Sequence, residues 1–295
     1  MAKEPIIIIG AGRSGTNILR DTICRIEGFE TWPCDEINYI WRHRNLRKSS
    51  DRFTAEDASS SVVSYIKREF LRFQRLSGAQ HVVEKTCANS LRVPFINKIF
   101  PDARFIFLIR EGKDVASSAR QRWTARLEPK YILKKARYIP SSDIAYYGIR
   151  YFYNRIKKVF SKEKRLAFWG PIYPGMMNDL KTDTLIEVCG KQWKECTEIA
   201  YNDLSCLDPT KVHMMTYEAF VSDPKHEMRK VMEFLNKDLT NDELDRAIGK
   251  VSSRSVGNYK KHLTNEELDK LNKIVEPVML DIYQKVANNV PHSKN

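Results

Sequence analysis

A short polar loop near the start of the chain has the residue types of an anion-binding site. It follows the apolar run at residues 6–9, precedes a helical pattern, and consists of Arg13, Ser14, Gly15, Thr16 and Asn17. One guanidinium, hydroxyl groups and several backbone N–H groups would therefore meet at a helix N-terminus. The helix dipole and its unpaired N–H groups favour a negative charge there, and arginine adds a fixed positive charge. The loop is predicted to bind one terminal phosphate.

Two other nucleotide-binding motifs partly match the same loop. Gly10, Gly12 and Gly15 have the GxGxxG spacing of dinucleotide-binding domains, but the next apolar segment, Gly28–Pro33, is short and broken by proline. A Rossmann-type oxidoreductase needs a strand there that ends in an acid. A P-loop kinase needs lysine where Thr16 stands. Both alternatives are therefore less favoured than a site for a single terminal phosphate.

Four apolar runs predict the strands that position the polar residues. They are Ile6–Ile9, His81–Glu84, Arg104–Ile109 and Val212–Met215. Because helical patterns separate them, they indicate a mainly parallel sheet, in which ligands bind beyond the carboxyl ends of the strands. The polar segments at those ends are Gly10–Thr16, Lys85–Thr86, Arg110–Ser118 and Tyr217.

Helices are predicted between and after these strands. Apolar spacing places one from Thr16 to about Glu27, capped by Gly28, and a long final one from about Asn265 to Ala287. Shorter helices are expected at Pro94–Phe100, Lys113–Trp123 and Pro224–Leu235. Residues 120–181 are basic, aromatic and interrupted by prolines, without a clear strand. We predict one α/β domain over residues 1–295, with a helical and looped insertion at about 120–181.

Together these segments resemble the sulfotransferases that use 3′-phosphoadenosine 5′-phosphosulfate (PAPS). The Arg-Ser-Gly-Thr sequence at 13–16 resembles the family's 5′-phosphosulfate loop, with arginine as in the tyrosylprotein and many bacterial members. Residues 110–118 are similar to its 3′-phosphate element, whose arginine and serine are eight positions apart. Tyr217 resembles a strand-end tyrosine near the adenine, and residues 254–261 resemble a loop that closes on the 3′-phosphate.

The resemblance, which covers about residues 5–125 and 185–265, implies a P-loop-like fold with PAPS as co-substrate and 3′-phosphoadenosine 5′-phosphate (PAP) as product. The residues implied to bind it are Arg13, Ser14, Gly15, Thr16, Asn17, Arg110, Ser118, Tyr217, Arg254, Lys260 and Lys261. A sulfuryl group carries less charge than a phosphoryl group and needs no catalytic metal. The six histidines show no ligand spacing, so no metal site is predicted.

Catalytic roles follow from the same resemblance for Arg13 in the phosphosulfate loop and for Lys85. Members place a lysine near the transferred sulfonate at the end of the second strand, where Lys85 stands. Its ammonium would stabilise the charge that builds on the bridging oxygen. Phenol-type members carry a histidine base two residues later, but Cys87 occupies that position here. The base is therefore expected elsewhere.

Glu36 is the predicted base. Tyrosylprotein and several glycan sulfotransferases use a glutamate after the first helix, and Glu36 matches it, with Arg42 also retained. An apolar environment near Trp32 and Trp41 would make this carboxylate a better base. Asp35 is the alternative base. A purely structural role for Glu36, as a helix cap or in a salt bridge to Arg42 or Arg44, is the other alternative.

Composition limits the class of protein. The chain has 295 residues, a net charge of +13, 42% hydrophobic and 29% charged residues, which is typical of a globular domain. No apolar run approaches the roughly 20 residues of a membrane span, and the six cysteines form no CxxC pair. A secreted disulfide scaffold and a structural zinc domain are therefore disfavoured, and a cytoplasmic location is predicted.

The net positive charge would attract nucleic acid, an anionic lipid surface, a polyanionic glycan or a phosphorylated cofactor, and does not by itself distinguish them. Arg120, Arg122, Trp123 and Arg126 suit nucleic acid, but that class does not explain polar loops at the strand ends. Aromatic and basic residues of the insertion, with Trp169 and Tyr173 near its end, suit a sugar instead.

The predicted acceptor is a hydroxyl or amine of an anionic saccharide or glycan. A tyrosine peptide or a small molecule is the alternative acceptor. The insertion could also serve only as a solvated lid or as a homodimer contact.

Overall fold

Five parallel strands form the centre of the computed structural model, which describes residues 4–124, 137–160, 166 and 168–288, without the side chains of residues 154, 155 and 157–160. Their order across the sheet is β2-β3-β1-β4-β5. The strands are β1 Ile6–Ile9, β2 Phe29–Glu30, β3 His81–Lys85, β4 Arg104–Ile109 and β5 Val212–Thr216. The predicted α/β class with a parallel sheet is confirmed.

The four isoleucines of β1 explain why this strand lies at the centre. All four are buried, and successive side chains point to opposite faces of the sheet. Ile7 and Ile9 belong to one core, whereas Ile6 and Ile8 belong to the other. Because both faces must be covered, the strand is apolar throughout rather than alternating.

Helices supply both covering layers. They are α1 Thr16–Ile23, α2 Asn38–Arg42, α3 Ser60–Ser77, α4 Val93–Ile99, α5 Gly112–Thr124, α6 Ile144–Phe160, α7 Met176–Thr182, α8 Leu185–Ser205, α9 Tyr217–Ser222, α10 Pro224–Phe234, α11 Asn241–Ile248, α12 Asn265–Val278 and α13 Gln284–Asn288. The core that includes Ile7 contains residues of α3, α4, α5, α8 and α12. The core that includes Ile6 contains residues of α1, α9, α10 and α11.

One predicted helix boundary was wrong, whereas the final helix has the predicted ends but not a regular interior. Helix α1 ends at Ile23, not near Glu27, and Gly28, at φ 90°, leads directly into β2. The final helix is interrupted by a π-helical turn, Met279–Tyr283, between α12 and α13. Pro277 stands just before this turn and cannot donate a backbone hydrogen bond, which explains the break in the regular ladder.

The described parts of residues 120–181 contain the end of α5, all of α6, all but the last residue of α7, and no strand. Arg126, singled out above for nucleic acid, lies outside the described residues. Of the helices that the structure describes, none is at once long enough and apolar enough to cross a membrane.

Candidate active site

A cavity of about 950 Å³ lies beyond the carboxyl ends of β1, β3 and β4. It brings together most of the residues that the sequence singled out. Its lining includes Arg13, Gly15, Thr16, Asn17, Asp35, Glu36, Lys85, Cys87, Arg110, Ser117, Ser118, Tyr147, Tyr151, Trp169, Ser255 and Tyr259.

The predicted phosphate loop, residues 13–17, has an unusual backbone conformation at the start of α1. Gly15 caps the helix at φ 93°, and Arg13 also has a positive φ, 79°. A Cβ on Gly15 would lie 2.3 Å from the ring of Tyr217, so only glycine lets the ring pack against the loop. Ser14, within the loop, is buried, and its Oγ has no hydrogen-bond partner within the described part of the chain.

The two predicted phosphate elements contact each other directly. Arg13 Nε donates to Ser118 Oγ at 3.0 Å, and Arg110 Nη1 donates to the Arg13 carbonyl at 3.4 Å. The Arg110 guanidinium lies 4.3 Å from the centre of the Tyr217 ring. Burial, together with the neighbouring cations Arg122 and Arg110, lowers the pKa of Arg13. A concentration of positive charge of this kind is stabilised by a bound anion.

The C-terminal loop at residues 253–262 is fastened to these elements by Asp114. The Asp114 carboxylate accepts from Gly257 N at 2.7 Å and from Tyr259 N at 2.9 Å, and lies 3.4 Å from Arg110 Nη2. Ser255 completes the attachment. Arg110 Nη2 donates to its carbonyl at 2.6 Å, and the hydroxyls of Ser255 and Tyr217 are 2.7 Å apart.

The basic residues predicted in this loop lie away from the cavity. Arg254, Lys260 and Lys261 are exposed and do not belong to its lining. From the same loop Ser255, Asn258, Tyr259 and His262 line it instead. Sequence reasoning missed Asp114 and Ser255. The available signal was the i,i+4 spacing of Asp114 from Arg110, which places both on one side of a helix turn.

Lys85 stands between two carboxylates at the floor of the cavity. Its side chain is only 1% exposed, and Nζ lies 3.1 Å from both Asp35 Oδ1 and Glu36 Oε1. Burial acts against the charge of this ammonium, but Glu36 and Asp35 outweigh it and raise the pKa of Lys85 above its ordinary value. Lys85 is therefore a fixed cation.

The two adjacent carboxylates differ in their surroundings. Asp35 Oδ1 also accepts from Asn17 Nδ2 at 2.9 Å and from Arg20 Nη1 at 3.1 Å, which ties it to the phosphate loop. Glu36 Oε1 also accepts from Cys87 N at 3.2 Å, at the end of β3. Besides Lys85, Asp35 thus binds side chains of the phosphate loop and of α1, whereas Glu36 binds the backbone at the end of β3.

The prediction of an apolar environment for the Glu36 carboxylate was wrong. The Lys85 ammonium and the Cys87 backbone N–H lie against it instead. Trp32 stacks on Phe73 with ring centres 4.2 Å apart and belongs to the core, as does Trp41. Arg42 forms its buried ion pair with Asp51, at 2.7 Å. Asp51 Oδ2 accepts from Ile172 N at 2.8 Å, so this pair anchors the far wall of the cavity.

Glu84, the residue before Lys85, positions the end of β3. It is buried and accepts from Thr86 Oγ1 at 2.5 Å and Asn89 Nδ2 at 2.6 Å, and burial raises its pKa. Thr86 Oγ1 in turn accepts from Ile37 N at 3.2 Å. The strand end that carries Lys85 is thereby joined to the segment that carries Glu36.

The far half of the cavity is aromatic. Tyr147 meets Tyr39 edge to face with ring centres 4.6 Å apart, and Arg150 stacks on Phe168 at 4.3 Å. Trp169 lies in the lining, as predicted. Tyr173, named beside it, is buried in the core, where its hydroxyl donates to Asp179 at 2.7 Å.

Comparison with known proteins identifies the family. A family model described as "Sulfotransferase domain" matches residues 3–254. The chain belongs to the sulfotransferase family. The enzyme class predicted from the sequence, a PAPS-dependent sulfotransferase, is thereby confirmed. No curated protein matches this sulfotransferase.

Solved structures share the fold of this sulfotransferase at low sequence identity. The sulfotransferase domain from the curacin biosynthetic pathway is 18% identical, with all of both chains covered and a TM-score of 0.52. Mouse sulfotransferase SULT7A1, complexed with PAP, is 14% identical over 97% of this chain and 88% of its own, with a TM-score of 0.53. A sulfotransferase from Alicyclobacillus acidocaldarius is 14% identical over 97% of each chain, with a TM-score of 0.51.

Proposed function

We propose that this sulfotransferase transfers a sulfonate from PAPS to a hydroxyl or amine of an anionic saccharide, with Glu36 as the base. The observation that carries the proposal is the placement of Glu36 beside Lys85 where the phosphate loop meets the aromatic half of the cavity. A base and a fixed cation would then face the reacting group from within one cavity.

The residues that would hold the donor are the phosphate loop at 13–17, Arg110, Ser118 and Tyr217. Two buried polar atoms of cavity-lining residues, Arg110 Nε and Ser117 Oγ, lack a partner within the described residues, which fits a bound anion. Arg254, Lys260 and Lys261 are exposed and lie outside the lining, so they would act on the donor only through long-range charge.

Bound PAPS supplies the sulfonate, which passes to the acceptor in one in-line displacement: the bond from sulfur to the acceptor atom forms as the bond to the bridging phosphate oxygen breaks. Glu36 takes the proton that the acceptor loses. Lys85 balances the negative charge left on the phosphate oxygen, and Arg13 holds the phosphate side of the reacting group. Asp35 keeps Lys85 and the phosphate loop in register through its bonds to Asn17 and Arg20.

A saccharide acceptor is supported by the far half of the cavity. Tyr39, Tyr147, Tyr151 and Trp169 offer faces on which sugar rings stack, and Arg150 offers a charge for an acidic group. A tyrosine peptide also suits an aromatic, basic cavity and is the second candidate. We place the reaction in the cytoplasm.

The test of the base compares Glu36→Gln with Asp35→Asn. We expect Glu36→Gln to lower kcat by about 10²–10⁴, the usual share of a general base, with PAP affinity nearly unchanged in calorimetry. Asp35→Asn should instead weaken PAP binding through Asn17 and Arg20. Wild-type turnover in Glu36→Gln, with a large loss of kcat alone in Asp35→Asn, would transfer the role to Asp35.

The test of the acceptor uses labelled PAPS with anionic saccharides, tyrosine peptides and simple phenols side by side. Trp169→Ala should raise KM for the saccharide by about tenfold, the loss of one stacking contact. Tyr173→Phe is the matched control, because this buried ring does not line the cavity. Activity on phenols alone would reject the saccharide.

A further inference from the structure

The outer face of α6 exposes bulky apolar side chains. Ile149, Phe152 and Ile156 are 73%, 65% and 56% exposed. Their spacing of three and four residues places them on one side of the helix. A helix of a globular protein normally turns such a stripe toward the core, so its outward position here calls for a partner outside the protein.

The inner face of α6 already has a function of its own. Tyr147 and Tyr151 line the aromatic half of the cavity, and Tyr147 meets Tyr39 edge to face. At about 100° per residue, Tyr147 stands about 140° around the helix from Phe152, so the side that contacts the body of the protein is not the side that carries the exposed stripe. A small rotation of α6 would therefore not bury the exposed stripe in the core.

The same helix is basic. Besides Arg150, which lines the cavity, its sequence contains Arg155, Lys157 and Lys158 and no acidic residue. Residues 120–165 contain fourteen basic and three acidic residues, a net charge of +11 out of +13 for the whole chain. The positive charge of the protein is therefore concentrated in the stretch that contains α6.

We propose that α6 is a membrane-interface helix, which rests on an anionic lipid bilayer with its apolar stripe at the boundary between headgroups and acyl chains. Basic charge and bulky apolar side chains on one helix match the two layers of such a surface, phosphate headgroups above hydrocarbon. A purely acidic protein surface would match the charge and leave the apolar stripe in contact with polar groups. The proposal does not depend on the identity of the acceptor or of the base.

The test is cosedimentation with vesicles of phosphatidylcholine alone and with 30 mol% phosphatidylglycerol, about one anionic lipid in three. The wild-type protein should bind the anionic vesicles and not the neutral ones, and added salt should weaken binding. Phe152→Ser and Ile156→Ser should each lower the partition coefficient about tenfold, the value of one large apolar side chain.

Leu76→Ser is the matched control, because Leu76 is 78% exposed but lies on α3. This variant should bind anionic vesicles like the wild type, and equal PAP affinity in all variants shows that they are folded. Equal binding to neutral and anionic vesicles, or equal losses in Leu76→Ser and Phe152→Ser, would overturn the proposal. A Phe152-dependent dimer in light scattering, without vesicle binding, would assign the face to a second copy instead.

Discussion

Arg110 is the residue at which the two predicted phosphate elements, residues 13–17 and 110–118, meet the C-terminal loop. Its guanidinium reaches the Arg13 carbonyl and the Ser255 carbonyl and lies over the ring of Tyr217, while Asp114 lies 3.4 Å from Nη2. It thus holds the phosphate loop and the C-terminal loop at once, and its Nε has no partner among the described residues. The contacts of Arg110 with its neighbours fix the position of Nε, so that its N–H could donate to a ligand phosphate without rearrangement.

The first prediction concerns Arg110→Ala. We expect PAP to bind more weakly by about 2–3 kcal/mol, the scale of one hydrogen bond to a charged group. Binding of 5′-AMP, which has no 3′-phosphate, should change much less. Calorimetry with both nucleotides makes the comparison, and equal losses for the two would show that Arg110 does not bind the 3′-phosphate.

The second prediction separates backbone strain from steric contact in the phosphate loop. Gly15 and Gly175 both have positive φ, 93° and 88°, but a Cβ meets the Tyr217 ring at Gly15 and nothing within 4 Å at Gly175. Alanine at either position should cost about 1 kcal/mol of stability through strain. Only Gly15→Ala should also lower PAP affinity, because the ring must move. Denaturant unfolding and PAP titration of both variants check this, and equal PAP affinity in the two would contradict it.

The sequence could predict residues whose type already indicates their chemistry. Lys85 ends β3, Arg110 directly follows β4, and Arg13 lies in the loop after β1, so the parallel sheet brings all three to one edge. Asp114 could not be assigned in the same way, because its partners Gly257 and Tyr259 lie more than 140 positions later and act through backbone N–H groups that every residue has.

At the scale of elements, apolar runs predicted four of the five strands. Strand β2 has only two residues, too few for a pattern, and Pro33 follows soon after it. Helix α8 was not predicted because its buried face mixes large apolar residues with Gly190, Gln192 and Thr197, which dilutes the apolar period.

The third prediction concerns the attachment of the C-terminal loop. Asp114→Ala removes the acceptor for Gly257 N and Tyr259 N, so the loop should detach more often. Trypsin should then cleave faster after Arg254, Lys260 or Lys261, which are exposed. Mass spectrometry of timed digests reports the site, and added PAP should slow cleavage.

Asp208→Ala is the control for this variant. Asp208 accepts from Thr210 N at 2.9 Å in an exposed turn far along the chain from the loop. Its removal should leave cleavage at 253–262 unchanged. An unchanged digestion rate in Asp114→Ala would show that other contacts hold the loop.

At the scale of the whole molecule, His213 on β5 makes stability depend on pH. Burial, helped by the nearby cation Lys230, lowers the pKa of His213 to about 4. Its ring stacks on Phe234 with centres 5.5 Å apart, and its Nε2 is buried. Below about pH 6.5 the unfolded chain binds a proton that the folded chain does not, so stability falls as the pH drops toward 4.

The fourth prediction is that His213→Phe reduces this loss. The wild type should lose about 2 kcal/mol between pH 7.5 and pH 5 through this residue alone, and the phenylalanine variant should not, because it packs similarly and cannot titrate. Urea unfolding at the two pH values gives the difference. An identical pH dependence in both proteins would exclude His213 as its source.

The attachment of the C-terminal loop by Asp114 and Ser255 has a consequence for how the enzyme's activity responds to nucleotide concentrations in the cell. Its bonds reach residues assigned to the adenine and the 3′-phosphate, which the donor and its spent form have in common. Contacts that hold PAPS through these two groups would therefore hold PAP almost equally tightly. The enzyme would respond to the ratio of PAPS to PAP rather than to PAPS alone. Accumulated PAP would therefore inhibit the enzyme even when both PAPS and the acceptor were plentiful.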